Sequence, residues 1–410
     1  MNGTMSTAAD LMRQLHVDHY PARWDTIFAK AMADYQREGA CFASVHFLEQ
    51  LNQSYGVMQG YEQAVLEAAK QIREDTLLTG YIQLLQFAMR DRKAFLQEIS
   101  EISPPQTPEG QPSEAYDFIL FFALAPMIEG VAQAMRQRGV PDDICLDTLK
   151  ALPESINQTH FLTGRPGLSF RYFNWFQLYL DHRILKVGRL NFEFFRAFNG
   201  SVKLFRNKKQ KPCLLMADCR LQDGMVFGSP GYQDEEQALD ADFRETESYF
   251  EGYPVRSDGL ADSSRICLPK TEWHLVLEAG DPIVSVHIPN ARVSSPFTPE
   301  ICDQSYQQAR AVLASCYPDY PYKAIICNSW LMDPQLKQML SPKSNIVSFQ
   351  NRYLPYPRLA TGQGVFSFVF VRPFKKLEDL PEQTSLERAI KRHYLAGQYI
   401  YEQGGIFKAT

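Results

Sequence analysis

Four segments between Trp273 and Tyr353 decide the fold, and they read WHLVLEAGDPIVSVHIP (273–289), TPEICDQSYQQARAVLASC (298–316), YKAIICNSW (322–330) and NIVSFQNRY (345–353). In the first segment, Val284 and Val286 alternate with Ser285 and His287, which is the period of a half-buried strand. The apolar run 324–327 has no alternation, as expected of a central strand that is covered on both faces. The region therefore predicts a sheet.

A helix between two of these strands sets their relative direction. Thr298-Pro299-Glu300 is typical of a helix start, with a hydroxyl N-cap, a proline at the first position and an acid in the first turn. Because a helical crossover connects parallel strands, segments 283–289 and 322–328 should be parallel neighbours that splay apart at their C-terminal ends. The Gly280-Asp281-Pro282 turn predicts a hairpin in front of them, so the sheet should be mixed.

Working outward, the chain has a helical first half and a second half rich in strands. Helical periodicity dominates 22–156, where Val65, Ala69 and Ile72, for example, fall on one face of a predicted helix. A last helix is predicted over 385–402. Strands are predicted near 186–196, 212–219, 271–278, 283–289, 322–328, 345–353 and 364–371. The predicted class is α+β, with a helical domain at 1–156, a mixed-sheet domain at 157–373 and a helical extension at 374–410.

The composition excludes several classes of protein. A formal net charge of -5 and a pI near 6.0 argue against a nucleic-acid or anionic-membrane partner. The eight cysteines contain no C-x-x-C pair, so neither a metal site nor a disulfide framework is expected. The N-terminus lacks a signal-peptide pattern, and the apolar run 118–128 is too short to span a bilayer. We therefore expect a cytoplasmic location.

Short motifs in the second half resemble a known family. They are Gly188-Arg189-Leu190-Asn191-Phe192-Glu193, the Trp273…Gly280-Asp281 spacing, His287-Ile288-Pro289, and Asn328-Ser329-Trp330-Leu331 followed by Asp333-Pro334-Gln335-Leu336. Their ordered succession behind a helical half resembles bacterial two-domain GNAT-like N-acyltransferases, in which a helical N-terminal domain precedes a GNAT-like C-terminal domain. The family commonly has Gln at the position of Asn191, His at that of Asn328, and glycines after Pro289. This sequence departs at all three.

The resemblance implies an acyl-CoA-dependent N-acyltransferase that moves an acyl group, acetyl by expectation, from CoA to an amine by direct attack. It implies acetyl-CoA or another acyl-CoA as the co-substrate and a small-molecule or peptide amine as the acceptor. The missing glycines leave an alternative open, a catalytically silent GNAT-like module that binds a ligand or a protein.

Two residues are candidates for proton transfer. Glu193 and His287 each lie on the polar side of an alternating strand, where a cleft or solvent must lie. Histidine titrates near neutrality and suits a general base. The structural alternatives are a strand-edge hydrogen bond for His287 and an ion pair with Arg189 or another base for Glu193.

The resemblance places the CoA pyrophosphate on the loop after Pro289, with contacts predicted at Ile288, Asn290, Ala291, Arg292 and Thr298. Without glycine this loop has fewer low-cost routes to an anion-binding backbone. The helix start at Thr298 still offers free amides and a favourable dipole. The alternative is a plain connection between a strand and a helix.

The remaining candidates are substrate-binding residues. Arg189, Asn191 and Ser285 share the polar strand faces of Glu193 and His287, so all five should line one cleft, and Ser329 is assigned beside it. A hydrolase built on Ser329, His287 and Asp333 is disfavoured because no G-x-S-x-G elbow surrounds the serine.

Overall fold

The computed structural model describes residues 6–107, 113–289, 296–370, 372 and 374–408. The chain divides into two compact units, Met1–Leu185 and Lys186–Thr410, rather than at the predicted residue 156. Segment 157–185 packs within the first unit: Arg92 pairs with Asp181 at 2.8 Å, and the rings of Phe95 and Phe173 meet edge-on at 5.5 Å. The last helix of the chain belongs to the second unit instead of forming a separate extension.

The first unit is helical. Its α-helices, α1 to α12, span Ala8–Gln14, Arg23–Glu38, Val45–Tyr55, Glu62–Glu74, Thr76–Arg90, Arg92–Glu98, Glu114–Asp117, Ile119–Leu124, Ile128–Gln137, Asp142–Leu149, Ala151–Thr163 and Phe173–Leu180. Helix α4 buries Val65, Ala69 and Ile72, as its periodicity predicted. Asp75 then separates α4 from α5, because its carboxylate accepts hydrogen bonds from Leu77 N and Leu78 N and so caps the new helix.

Helices α8 and α9 form a continuous apolar stretch with the turn between them. Ile119–Gln137 has the length and composition of a membrane-spanning helix, but 61% of its most apolar window is buried inside the protein. Phe121 and Phe122 in this stretch are fully buried and meet edge-on at 5.4 Å. This burial is typical of the core helix of a helical domain.

The second unit carries most of the sheet structure, and its first strand begins just before the division. Strands β1 to β15 span Ile184–Val187, Leu190–Ala197, Val202–Asn207, Pro212–Met216, Cys219–Gln222, Met225–Val226, Leu239–Ala241, Arg244–Glu245, Tyr249–Gly252, Ile266–Pro269, Trp273–Leu277, Pro282–His287, Ala324–Ser329, Tyr353–Tyr356 and Gln403–Phe407. Helices α13 to α16 span Pro299–Cys316, Leu336–Met339, Asn345–Gln350 and Ser385–Leu395.

The main sheet is mixed, as predicted, with strand order β1-β2-β12-β13-β15-β14. Strands β12 and β13 are parallel neighbours joined by the crossover helix α13, which confirms the predicted connection. Their ladder ends at Ser285 and Ile326, although β12 continues along β2 to His287 and β13 continues along β15 to Ser329. Each strand thus follows its outer neighbour, and a gap opens between the two C-terminal ends.

The two faces of the main sheet are covered differently. On the α13 face, Tyr306 of α13 packs against Phe192 at 5.7 Å and against Phe407 at 4.4 Å. On the opposite face, Ile283, Ile326 and other apolar residues join a core formed with the smaller sheets. We call this second side the inner face. The sheets β11-β3-β4 and β6-β5-β7 contribute to this core, and a further small sheet has the order β10-β9-β8.

The predicted hairpin over 271–289 is wrong. Strand β11 pairs with β3 in a separate three-stranded sheet, whereas β12 pairs with β2 in the main sheet. Gly280 has a φ of +93°, a left-handed conformation that favours glycine, and Phe198 exchanges backbone hydrogen bonds with Gly280 and Asp281. The turn therefore sends the chain from one sheet into another instead of folding it back on itself.

Three further predictions near the C-terminus are wrong. Segment 345–353 begins as helix α15, capped by Ser344, and becomes strand β14 only at Tyr353. Segment 364–371 contains a π-helical turn at Phe366–Phe370, in which these two rings pack 5.9 Å apart at the i, i+4 spacing. The last helix ends at Leu395, and β15 follows between β13 and β14.

Candidate active site

A histidine and a glutamate lie side by side on the inner face where β2 and β12 pair. In the register, Glu193 is opposite Ser285 and Asn191 is opposite His287. His287 Nε2 is 2.8 Å from Glu193 Oε2. The side chain of His287 is 34% exposed and that of Glu193 only 1%, so a solvent-accessible imidazole rests on a buried carboxylate. The two predicted catalytic residues are therefore brought together.

A bulge in β2 supplies a second partner for Glu193. Two residues of β2, Phe194 and Phe195, oppose one residue of β12, and Phe195 has a φ of +56°. In a regular strand, residues three apart point to opposite faces. The extra residue instead brings Arg196 to the face of Glu193, and Arg196 Nη1 donates to Glu193 Oε1 at 3.3 Å. Both carboxylate oxygens thus have a partner.

Two of the predicted substrate residues flank this pair. Asn191 is 7% exposed, and its buried Oδ1 has no hydrogen-bond partner among the residues that the structure describes. Ser285 is also buried and lies level with the end of the β12–β13 ladder. A buried amide oxygen with no protein partner is a site at which a ligand donor is favoured.

Asn328 lies on the other side of the gap, and sequence reasoning did not assign it to the site. Because Ser285 is level with Ile326, His287 and Asn328 are level and share the inner face. Tyr356 Oη donates to Asn328 Oδ1 at 3.1 Å. This hydrogen bond fixes the amide oxygen, so the Asn328 NH₂ group is the one that can donate to a ligand. The fully buried Tyr356 ring lies over Gly404, whose missing side chain leaves room for it. That arrangement involves strands far apart in the sequence.

Arg189 does not join the cleft. It lies in the turn between β1 and β2, where its backbone N–H donates to Ser305 Oγ at 2.8 Å and its Nη2 donates to Pro289 O at 2.9 Å. Its guanidinium carbon is 5.4 Å from the ring centre of Phe297. Arg189 therefore contacts both ends of the predicted pyrophosphate loop. Alternation in β2 did not predict this because Arg189 precedes the strand.

The predicted CoA contacts fall on this loop. Asn290, Ala291 and Arg292 lie outside the described residues. Ile288 directly follows β12 and is half-buried. Thr298 is the N-cap of α13, as predicted, and its hydroxyl accepts from Ile301 N at 3.4 Å. The start of an 18-residue helix therefore follows the loop, where exposed N–H groups and the helix dipole favour an anion.

The structure does not bring Ser329 to this site. It is one residue beyond Asn328 and so falls on the α13 face, where its hydroxyl accepts from Leu331 N at 3.1 Å and caps a short 3₁₀ turn. Asp333 is fully buried and accepts from Gln335 N at 2.9 Å and from Tyr401 N at 2.7 Å. Ser329 and Asp333 thus both bond to the backbone, which agrees with the rejection of a hydrolase.

We expect Asp333 to make stability depend on pH. Burial raises the pKa of Asp333 to about 6. The hydrogen bonds from Tyr401 N and Gln335 favour the anion and lower the pKa, but their effect is smaller than that of burial. The folded state therefore binds this proton more tightly than the unfolded state, and the stability that Asp333 contributes is lost as pH rises. Relative to Asp333→Asn, the wild-type free energy of unfolding should fall by about 1 kcal/mol from pH 5 to pH 7. Urea denaturation at both pH values measures this, and parallel behaviour of the two proteins would contradict it.

The fold and the site define a class. A GNAT-like acyltransferase has parallel strands that separate after a shared ladder and a crossover helix that connects them. This protein has both features, and a histidine–carboxylate pair lies beside the gap. The family comparison agrees. Residues 46–181 match the model of the N-acyltransferase N-terminal domain, and residues 184–407 match that of the GNAT-like C-terminal domain. The chain therefore belongs to the family of two-domain acyltransferases with this arrangement, as its motifs predicted.

Solved structures with the same fold include an acyltransferase in complex with decanoyl-CoA. That chain is 17% identical, with a TM-score of 0.59 over 98% of this chain and 99% of the other. An acyltransferase in complex with decanoyl-CoA and teicoplanin is 18% identical, with a TM-score of 0.58 over 88% of this chain and 86% of the other. No curated protein matches the sequence significantly. None of these comparisons supports the alternative of a catalytically silent module.

Proposed function

We propose that this protein transfers an acyl group from an acyl-CoA to an amine by direct attack, with His287 as the general base. The observation that carries the proposal is the His287–Glu193 hydrogen bond beside the gap between β12 and β13. With Nε2 on the carboxylate, the neutral imidazole keeps its proton on Nε2 and its basic lone pair on Nδ1. Glu193 is a positioning residue that orients the ring and stabilises the imidazolium that forms.

The gap supplies the place for the thioester. Beyond Ser285 and Ile326, the facing backbone edges of β12 and β13 are no longer joined in a ladder, so an extended pantetheine arm has strand backbone on both sides. Helix α13 follows β12 in the chain, and its N-terminus offers N–H groups and a dipole that suit the pyrophosphate. The gap then holds the thioester carbonyl between His287 on one strand and Asn328 on the other.

Residues of this site can carry out each proton transfer and bond change of the acyl transfer. His287 takes one proton from the acceptor ammonium, and the neutral amine attacks the thioester carbon to form the C–N bond. The Asn328 amide, turned by Tyr356, donates to the carbonyl oxygen as negative charge develops there. The C–S bond then breaks, and the second proton of the attacking nitrogen goes to the CoA thiolate. Asn191 Oδ1, buried opposite His287, accepts a hydrogen bond from the incoming ammonium.

The proposed acyl donors include acetyl-CoA, which the sequence led us to expect, and acyl-CoAs with longer chains. Octanoyl-CoA and decanoyl-CoA are the acyl ligands of the solved acyltransferases with this fold, which supports including them.

The experiment is a donor series with acetyl-, octanoyl- and decanoyl-CoA. Acyl-CoA at concentrations above its dissociation constant should raise the melting temperature in a concentration-dependent way, by mass action. Adding a primary amine should then release CoA thiol faster than water alone. If no donor shifts the melting temperature and no amine increases thiol release, the proposed function is wrong.

A further inference from the structure

Arg189, in the turn between β1 and β2, is a buried cation that the proposed chemical step does not use. It is only 1% exposed. Arginine stays protonated in proteins, and burying a charge costs free energy that hydrogen bonds and nearby dipoles must offset. An apolar side chain of similar volume would avoid that cost. The burial of Arg189 therefore indicates a role for the guanidinium itself.

The guanidinium lies between the end of β12 and the start of α13. Nη2 donates to Pro289 O at 2.9 Å, and Cζ is 5.4 Å from the ring centre of Phe297, within the range of a cation–π contact. An extended chain could separate Pro289 from Phe297 by up to about 28 Å, so chain connectivity alone does not fix their distance. Because one guanidinium contacts both residues, the end of β12 and the start of α13 are held close together.

The backbone of the same turn is fixed on α13. The Arg189 N–H donates to Ser305 Oγ at 2.8 Å, and Ser305 Oγ donates to Ile301 O at 2.9 Å. Gly188 has a φ of +59°, and a Cβ there would lie 2.7 Å from Ser305 Oγ, so glycine is what allows the turn to lie this close to the helix. The position of Arg189 is therefore determined by the first two turns of α13.

A second arginine also contacts the start of α13. Arg352 Nη2 donates to Pro299 O at 2.9 Å, and its Nε pairs with Asp303 at 2.6 Å. Burial raises the pKa of the Cys302 thiol to about 11, and the positive charges of Arg352 and Arg189 lower it. Both cations are therefore close enough to the first turn of α13 to act on it electrostatically.

These cations add to what a helix N-terminus already offers an anion. The N–H groups of the first turn and the helix dipole favour negative charge, and a nearby guanidinium in a poorly solvated position strengthens that preference. In CoA the negative charge lies on the diphosphate and the 3′-phosphate of the nucleotide end. The pantetheine arm and the thioester carry none. A role of Arg189 in charge recognition would therefore concern only the nucleotide end of the donor.

We propose that Arg189 is a positioning residue for the nucleotide end of acyl-CoA, and not a residue of the acceptor site. It holds the end of β12 against the start of α13 and adds positive charge to the helix N-terminus that receives the diphosphate. The proposal rests on the proposed function, since it takes acyl-CoA as the donor and places its pantetheine arm beside β12.

The test compares the most active acyl-CoA of the donor series with the S-acylpantetheine that carries the same acyl group but no nucleotide. Arg189→Met should raise KM for the acyl-CoA by at least about 10-fold, the usual effect of losing a hydrogen bond from a charged group. The value of kcat should change by less than about 3-fold, because the lost interaction is the same in the ground state and the transition state. With S-acylpantetheine, kcat/KM should also change by less than about 3-fold.

Two further variants separate this role from a purely structural one. Arg189→Lys keeps the charge but not the planar fork, so it should recover part of the loss, and it gives the same comparison if Arg189→Met does not fold. Arg265→Met is the matched control, because Arg265 is also a partly buried arginine of the second unit, with Asp242, Glu251 and Tyr253 as its described partners. It should keep the wild-type KM. A protein that is merely destabilised loses active enzyme, which lowers the apparent kcat and leaves KM unchanged.

The outcomes distinguish this proposal from the proposed function. An unchanged KM for acyl-CoA in both Arg189 variants, or an equal loss with acyl-CoA and S-acylpantetheine, would overturn the role of Arg189 while leaving acyl transfer intact. If the wild type releases no thiol with any donor, the proposed function has failed, and calorimetric titration with CoA alone then tests Arg189. Binding that Arg189→Met weakens by at least about 10-fold and Arg265→Met retains would support the assignment. The absence of CoA binding to the wild type would refute it.

Discussion

His287→Ala and Glu193→Gln are expected to lower kcat for acyl transfer by on the order of 100- to 10,000-fold, the usual contribution of a positioned acid or base. His287→Ala removes the group that takes the proton. Glu193→Gln keeps the size of the side chain but removes the charge that orients the imidazole and stabilises it when protonated. The dissociation constant for CoA should change far less, because neither side chain is placed to contact the pyrophosphate. Steady-state thiol release and CoA titration measure the two quantities.

Two controls separate chemistry from folding. His274→Ala removes an exposed histidine of β11 and should leave kcat at the wild-type value. Added imidazole should restore part of the activity of His287→Ala, which a misfolded protein would not recover. A His287→Ala protein with undiminished kcat would show that another group is the base.

Gly404→Ala should cause the largest loss of stability among single methyl additions in this sheet. A Cβ at Gly404 would lie 2.1 Å from Tyr356 Cζ, and Tyr356 is fully buried with its hydroxyl on Asn328. Neither the ring nor the strand can move without breaking other contacts, so we expect destabilisation on the order of 3 kcal/mol. Urea or thermal unfolding measures it.

Gly130→Ala is the matched control in the helical unit. Gly130 lies in α9, and a Cβ there would meet nothing within 4 Å. Replacing an exposed helical glycine by alanine should stabilise the protein by up to about 1 kcal/mol. If Gly404→Ala is as stable as the wild type, the placement of β15 against β14 is wrong, because that placement is what brings the ring onto the glycine.

The sequence predicted well wherever a structural rule acts over a few neighbouring residues. Thr298-Pro299-Glu300 marked the start of α13 correctly, since capping depends on the first turn alone. Alternation of polar and apolar residues also placed Glu193 and His287 on polar strand faces. The antiparallel pairing of β2 and β12 brings the two side chains within hydrogen-bond distance.

Secondary-structure prediction failed where a short segment has a pattern that fits either a helix or a strand. In 345–353 the apolar residues fit a strand as well as a single helical turn, and the cap at Ser344 decided for the helix. Strand β15 was missed because Gly404 and Gly405 carry no β-branched or aromatic signal. Glycine is required at both positions because a side chain would clash with a neighbour. Tyr356 lies over Gly404, and Met332 and Tyr353 lie beside Gly405.

The sequence by itself determined the class of the protein: a helical half, a parallel pair joined by a crossover helix, and an ordered set of motifs that identifies a two-domain acyltransferase family. Only the tertiary structure decided how the site is assembled. The bulge at Phe195 brings Arg196 to Glu193, the chain reversal near Gly280 sends β11 into another sheet, and Arg189 contacts the loop ends instead of the cleft. Local patterns specify which face a side chain occupies, but partners distant in sequence are chosen by how strands pair and where their ladders end.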